Sequence, residues 1–111
     1  MTIVVKSLIQ AKQAESVQTS QYSAVNCVAV IDKFTITNTS ATNALFSCNV
    51  VAVGGSAGSD NLIMKERAIA PGETYSAVGL VGQVIEAGGF ISTLASTAAA
   101  LTIRASGREI T

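Results

Sequence analysis

Hydrophobic and polar residues alternate with a period of two along several short runs of this chain, which is the pattern of half-buried β-strands. In Lys33–Asn38, Phe34 and Ile36 point to one side and the threonines between them point to the other. Clusters of Gly, Ser, Asn and Asp separate such runs. The pattern predicts eight or nine strands, at Ile3–Ile9, Glu15–Gln21, Val25–Ile31, Lys33–Asn38, Ala44–Val53, Asn61–Ile69, Glu73–Leu80, Gln83–Glu86 taken together with Phe90–Ser96, and Leu101–Ser106.

Many short strands without helical periodicity between them predict an all-β fold, an antiparallel β-sandwich in which a jelly roll is the favoured arrangement. The length of 111 residues suits a single sandwich domain over 1–111, with residues 1–10 as a candidate extended N-terminal arm. A short helix over Ser7–Ser16 is an alternative that ranks behind a strand. Pro71-Gly72 suits the middle of a type II turn, because glycine accepts positive φ.

Two runs, Val50–Val53 and Val28–Ile31, are apolar on both faces of their predicted strands, although a sandwich core covers only one face. Either the loops and terminal arm of the chain cover the second face, or another subunit does. Hydrophobic residues make up 49% of the chain and charged residues 13%, and the net charge is zero. This composition favours burial against another subunit, since little charge is present to keep the surface wetted or the molecules apart.

Candidate catalytic chemistry is sparse. The chain has no histidine, which excludes a Ser-His-Asp or Cys-His arrangement. The glycines lack the Lys-Ser/Thr that follows a phosphate loop. A small hydrolase would need two of Glu66, Glu73 and Glu86 to converge in one pocket. We therefore predict no enzyme, no cofactor and no metal site, and interpret Cys27 and Cys48 as reduced, buried small hydrophobes. The alternative is a disulfide between them, formed in an oxidising medium if the two residues lie on adjacent strands.

The charge pattern argues against nucleic acid as a partner, because the basic residues are scattered and the one tight group, Lys65-Glu66-Arg67, contains its own acid. The weakly polar stretch 90–101 is too short to cross a bilayer. The N-terminus lacks the basic and apolar regions of a secretory signal, so synthesis in a cytoplasm is expected. Sugar binding would depend on Tyr22 and Tyr75, because tryptophan is absent and Phe34 and Phe46 are candidate core residues.

From Lys33 onward the chain carries a succession of short turn and strand motifs. These are FTITNTS from Phe34, Gly54-Gly55 after an apolar strand, Asn61-Leu62-Ile63, the turn IAPGET from Ile69, VIEAG from Val84 before Phe90-Ile91, and SGREI from Ser106. In this respect residues 33–111 resemble small bacteriophage virion structural proteins of the capsid decoration (cement or staple) type, whereas residues 1–32 do not match. The resemblance implies a β-sandwich that self-associates and locks neighbouring shell subunits together, without catalytic residues.

These observations lead to a functional expectation. The chain is expected to be a non-enzymatic structural protein that decorates and stabilises a phage capsid, with the major capsid protein and its own copies, in a dimer, as partners. Deleting Met1–Gln10 is expected to leave the sandwich folded but to weaken attachment. The alternative is a tail-associated or receptor-binding sandwich. The candidate protein-interaction residues are Thr2, Ile3, Val4, Val5, Val51 and Val53.

Overall fold

A computed structural model describes residues 1–111. The strands are β1 (Ile3–Gln13), β2 (Thr19–Ser23), β3 (Val28–Asn38), β4 (Ala44–Val51), β5 (Leu62–Ile69), β6 (Thr74–Ser76), β7 (Val84–Ile85), β8 (Phe90–Ala95) and β9 (Leu101–Ile110). A single turn of 3₁₀-helix at Ser59–Asn61 lies between β4 and β5. The predicted all-β fold is confirmed.

The strands form two antiparallel sheets. The first sheet has the order β1-β9-β3-β6, with β7 also paired to β3, and the second has the order β2-β8-β4-β5. Apart from β7, the pairs are nested: β1 with β9, β2 with β8, β3 with β6, and β4 with β5. This is the topology of one long antiparallel ribbon rolled up on itself, which is a jelly roll.

The core lies between the sheets and is built from the alternating positions. Phe34 and Ile36 of β3 and Phe46 of β4 are fully buried, and the rings of Phe34 and Phe46 pack 6.0 Å apart. Leu101, Ile103 and Ala105 complete the same layer, while Thr102 and Arg104 face outward. The period-two pattern thus located the inner face of these strands correctly.

Several predicted boundaries are wrong for identifiable reasons. The predicted break at Asp32 is a β-bulge inside one continuous strand β3, where the pairing with β9 shifts register between Ile31 and Lys33. The predicted strand Glu73–Leu80 is reduced to Thr74–Ser76, because residues 77–83 form successive turns. Gly72 has φ +77°, as the Pro-Gly turn requires.

The N-terminal segment is not a free arm. Residues 3–13 form the edge strand β1, which pairs with β9 from Ile3 opposite Ile110 to Gln13 opposite Thr102. The helical alternative over Ser7–Ser16 is therefore wrong. Leu8 and Ile9 of β1 are 6% and 2% exposed in the core. Deleting residues 1–10 would remove these two side chains and uncover β9, so the expectation of an intact sandwich is replaced by one of strong destabilisation.

The run Val50–Val53 is covered largely by the chain itself. Val50 packs against the core and Val51 points to the outer face of the second sheet, yet Val51 is only 1% exposed. The turn that follows β4 folds back over it, and a Cβ added to Gly55 would lie 3.2 Å from a Val51 methyl group. Val53 lies beyond the strand and is 66% exposed. Loop coverage, the first of the two alternatives, therefore applies to Val51.

Candidate protein-interaction site

The outer face of the first sheet carries an apolar strip, which the register between its strands defines. Directly opposed residues place their side chains on the same face of a sheet. One row across the sheet joins Val28 of β3 to Ile110 of β9 and Ile3 of β1, and the next row contains Val84, Val30, Arg108 and Val5. We call the apolar members of these rows the apolar strip: Ile3, Val5, Val28, Val30, Val84 and Ile110.

No loop of the chain covers the apolar strip. Ile3 is 51% exposed, Val5 77% and Val84 46%, and the remaining members are half-buried. Single exposed apolar side chains are normal on protein surfaces, but a contiguous set on one sheet face is typical of an interaction surface. The strip is therefore the strongest candidate for contact with another protein.

Arg108 is the one charged side chain within the two rows, and its charge is balanced locally. Its guanidinium donates to both carboxylate oxygens of Asp32, with Nε–Oδ2 and Nη2–Oδ1 distances of 3.0 Å. Asp32 occupies the bulge in β3, which brings its carboxylate beside β9. The hydrogen bonds that Arg108 donates to Asp32, and the negative charge of that carboxylate, raise the pKa of Arg108. A partner would meet an apolar strip with a neutral, bidentate ion pair in it.

The apolar strip reaches the open edge of the first sheet. Thr2 and Thr111 exchange backbone hydrogen bonds, with N–O distances of 3.2 and 3.0 Å. In an antiparallel pair such residues alternate with residues whose backbone groups point away. The N–H and C=O groups of Ile3, Val5 and Ser7 therefore point toward the free edge of β1. This edge offers hydrogen-bonding groups as well as apolar side chains.

The candidate interaction residues from the sequence fall into two separate places. Thr2, Ile3, Val4 and Val5 lie in or beside the first half of β1, with Val4 48% exposed on the opposite face from Ile3 and Val5. Val51 and Val53 belong to β4 and the turn after it, in the second sheet. Val51 is buried under its own chain and offers no surface to a partner, which corrects its assignment.

Four members of the apolar strip were missed from the sequence: Val28, Val30, Val84 and Ile110. Val28 and Val30 stood in a run that was recognised as apolar on both faces, which was a usable signal. Their association with Ile110 and Ile3 depends on the pairing of β1, β9 and β3, which are distant in the chain. The alternation of one strand does not contain that information.

Polar contacts tie the two sheets together at the end of the sandwich that carries the apolar strip. The Tyr22 hydroxyl in β2 donates a short hydrogen bond to the Glu109 carboxylate in β9, and Lys6 lies 3.4 Å from the other carboxylate oxygen. The hydrogen bond from Tyr22 and the nearby Lys6 charge lower the pKa of Glu109, outweighing its partial desolvation. Burial and the Glu109 carboxylate raise the pKa of Tyr22.

The outer face of the second sheet is polar and is covered by the connection between β4 and β5. Asn49 of β4 is 2% exposed, and its Nδ2 donates to the Gly58 carbonyl at 3.0 Å and to Asn61 Oδ1 at 2.7 Å. Gln18 Nε2 donates to Asn49 Oδ1 and to Ser92 Oγ at 3.3 and 2.8 Å. These amides hold the connection against the sheet, and no buried side-chain nitrogen or oxygen is left without a partner.

A groove runs beside this amide network. It consists of two adjoining cavities of about 280 and 200 Å³ that share Ser47, Glu66 and Leu94 in their walls. Glu66 has φ +47° in the edge strand β5, which directs its N–H to Ser47 Oγ at 2.9 Å. Lys65 lines the smaller cavity. The groove could accept a small polar ligand, although Ser47 Oγ and Ser96 Oγ already accept backbone N–H groups and the Gln18 and Asn49 amides already have protein partners.

The remaining candidate chemistry does not assemble. Glu66 lines the groove, whereas neither Glu73 nor Glu86 does, so the pocket of converging carboxylates expected for a hydrolase is not formed. No three His, Cys, Asp or Glu side chains lie together as a metal site would require. Cys27 and Cys48 are both buried and not bonded to each other, and burial raises the pKa of Cys48 to about 12. No helix is long and apolar enough to span a membrane.

Comparisons with protein-family models, with curated proteins and with solved structures found no significant match to this chain.

Proposed function

We propose that this protein is a non-enzymatic virion structural protein that decorates and stabilises a bacteriophage capsid by bridging neighbouring shell subunits. The observation that carries the proposal is the apolar strip, which is uncovered in the isolated chain and continuous with an open sheet edge. Such a surface fits another protein better than a small molecule, because it is broad and lies on a sheet face outside both cavities. The resemblance of residues 33–111 to phage decoration proteins is the reason for proposing a bacteriophage capsid as the particle to which the protein binds.

The rigidity of the scaffold supports this role. A protein that clamps shell subunits must hold its contact residues in fixed positions, and the strip residues lie on paired strands instead of flexible loops. Its partners would be the major capsid protein and copies of itself on the capsid surface, after synthesis in the host cytoplasm. Many modest contacts gain strength when linked copies bind a repeating lattice.

The abundance of the protein in purified phage particles tests the proposal. Quantitative mass spectrometry should find copy numbers comparable with those of the shell subunit, and a particle reconstruction should place the sandwich on the shell. Its absence from particles would overturn the proposal. A few copies per particle at the tail would instead support the alternative, a tail-associated or receptor-binding module.

A matched pair of variants tests whether the apolar strip is the contact surface. Val84→Lys puts a charge into the strip, while Val17→Lys puts one on the turn between β1 and β2, outside it. The two side chains are 46% and 66% exposed, so both variants should fold. Val84→Lys should reduce binding to shells that lack the protein by at least about tenfold, and Val17→Lys should not. Equal binding by both would exclude the strip.

The groove on the second sheet is the observation that favours the receptor-binding alternative. Its walls combine the carboxylate of Glu66, the ammonium of Lys65 and the hydroxyl of Ser47 with the apolar side chain of Leu94. This mixture suits a polyhydroxylated ligand such as a cell-surface glycan. Binding to a glycan array that Glu66→Gln abolishes would favour this function over capsid decoration.

A further inference from the structure

Five strands form the edges of the two sheets, and only one edge segment lacks a feature that discourages pairing. In the first sheet β6 and β7 are three and two residues long. In the second sheet β2 is five residues long and bulged between Ser20 and Tyr22, and β5 carries Lys65, Glu66 and Arg67 with an irregular register. Short length, bulges and charge are the usual protections of a sheet edge.

The edge strand β1 is protected over its second half but not over its first. Its register with β9 shifts between Ser7 and Ile9 and again between Ile9 and Lys12, so this half curves irregularly. From Ile3 to Ser7 the register is unbroken. Lys6 is the only charge there, and it points to the face opposite the apolar strip, where it contacts Glu109. The first half of β1 is thus a regular, apolar and open edge.

We infer that Ile3–Ser7 of β1 pairs antiparallel with the same segment of a second copy, about a twofold axis at Val5. This inference rests on the proposed function, in which copies of the protein are partners on the capsid, and identifies the surface that would link them. The free backbone groups belong to Ile3, Val5 and Ser7, which are spaced symmetrically about Val5. A twofold axis at Val5 places Val5 opposite the partner's Val5 and Ile3 opposite the partner's Ser7. Every free N–H and C=O in the segment then has a partner.

The side chains are compatible with this pairing. Val5 would meet the partner's Val5 on the outer face, which makes the two apolar strips continuous across the axis. On the other face, Lys6 would lie opposite the partner's Val4, so no like charges are directly opposed. The pairing would end where β1 begins to bulge after Ser7. The two first sheets would become one, with a single extended apolar face toward the capsid.

Site-directed crosslinking tests the register. Val5→Cys should give a disulfide-linked dimer under mild oxidation, because directly opposed residues of antiparallel strands lie within disulfide range. Val84→Cys is the matched control, since it lies in the same strip but on β7, on the side of the sheet opposite the β1 edge. The wild-type protein should not crosslink, because Cys27 and Cys48 are 6% and 0% exposed. Crosslinking of Val84→Cys as efficient as that of Val5→Cys would indicate packing of one strip on another and would overturn the inference.

Sedimentation equilibrium of Val5→Pro provides an independent measurement. The Val5 N–H points to the free edge, so proline at this position leaves the bonds to β9 intact and removes a donor needed by the second copy, together with the valine side chain. The Kd for self-association should rise by at least about tenfold, with an unchanged circular dichroism spectrum. Val5→Thr, which keeps the N–H, should stay dimeric. A wild-type protein that stays monomeric at the highest soluble concentration would overturn the inference.

These measurements need no phage particle, so they separate the inference from the proposed function. A monomer in solution that is nevertheless abundant on particles would overturn the twofold pairing and leave the decoration role standing. A dimer that is absent from particles would do the reverse. If β1 instead pairs with a strand of the capsid protein, Val5→Cys would not crosslink to itself in solution. A photoactivatable crosslinker attached to its thiol would then join it to the capsid protein on the particle.

Discussion

Both sheets carry apolar side chains on their outer faces, but only the second sheet covers them with its own chain. On the second sheet, the connection after β4 folds back and an amide network around Asn49 holds it down, so that Val51 is 1% exposed. On the first sheet, nothing folds back and Val5 remains 77% exposed. The difference shows that an apolar residue on an outer sheet face does not by itself indicate a partner. It indicates one where the chain supplies no cover of its own.

Removing the amide that holds the cover should have the largest effect. Asn49→Ala leaves the Gly58 carbonyl, the Asn61 oxygen and the Gln18 amide without their buried partner. The free energy of unfolding should fall by about 3 kcal/mol, at about 1 kcal/mol for each group. Denaturant unfolding would measure it, with the exposed Asn43→Ala as the control. A loss no larger than that of the control would mean that the network does not stabilise the cover.

A second variant tests the packing of Val53 directly. Gly88 has φ +85°, and a Cβ there would approach a Val53 methyl group to 2.6 Å. Gly72 has φ +77° with nothing within 4 Å of the same position. Gly72→Ala should therefore lose about 1 kcal/mol from backbone strain alone, and Gly88→Ala about 2.5 kcal/mol from strain and collision. Equal losses in thermal unfolding would show that Val53 moves aside freely.

A pair of valine truncations compares the two faces most simply. Val51→Ala removes two buried methyl groups and should lower the free energy of unfolding by about 2 kcal/mol. Val5→Ala removes two exposed ones and should change it by less than about 0.5 kcal/mol at concentrations where the protein is monomeric. Denaturant unfolding at several protein concentrations would separate the two. A costly Val5→Ala would mean that Val5 has cover that the isolated chain does not show.

The smallest expected effect is the pH dependence of the contact between the sheets. The pKa of Glu109 is lowered in the folded state, so its contribution is complete above the unfolded pKa of about 4.3 and is lost as the pH falls through the lower folded value. Tyr22→Phe should reduce stability by about 1 kcal/mol at neutral pH and weaken this acid dependence. Tyr75→Phe is the control, because it also removes a tyrosine hydroxyl, but Tyr75 contacts Arg67 instead of Glu109. Identical pH profiles for both variants would contradict the assignment.

The sequence predicted which residues face the core better than it predicted where strands begin and end. Alternation placed Phe34 and Ile36 on one face of their strand, which is the core face, because period two belongs to each strand by itself. It misread Asp32 as a break, since a bulge and a loop share the same polar interruption. Local patterns thus identify the inner face of a strand but not whether an interruption ends the strand.

The sequence predicted only part of the candidate interaction site, for a related reason. Ile3 and Val5 stood out as apolar residues near the N-terminus, but Val28 and Ile110 join them only through pairing across nearly the whole chain. Val51 was wrongly assigned to an interface, because the connection that covers it is not visible in the sequence. Hydrogen bonds between Asn49 and Asn61 hold that connection in place, and residue spacing does not reveal them. Residue patterns can identify surplus apolar surface, but not which part of it the tertiary structure hides.

The nested pairing of the strands has a consequence for how the protein is made. β1 leaves the ribosome early, yet its only neighbour in the sheet is β9, near the other end of the chain. Until β9 emerges, both sides of this apolar strand are unpaired, and pairing between such distant segments is slow. During translation β1 is therefore exposed to the wrong neighbours, including other nascent chains on the same messenger RNA. We expect the yield of folded protein to depend on chaperones that shield β1 until β9 has been synthesised.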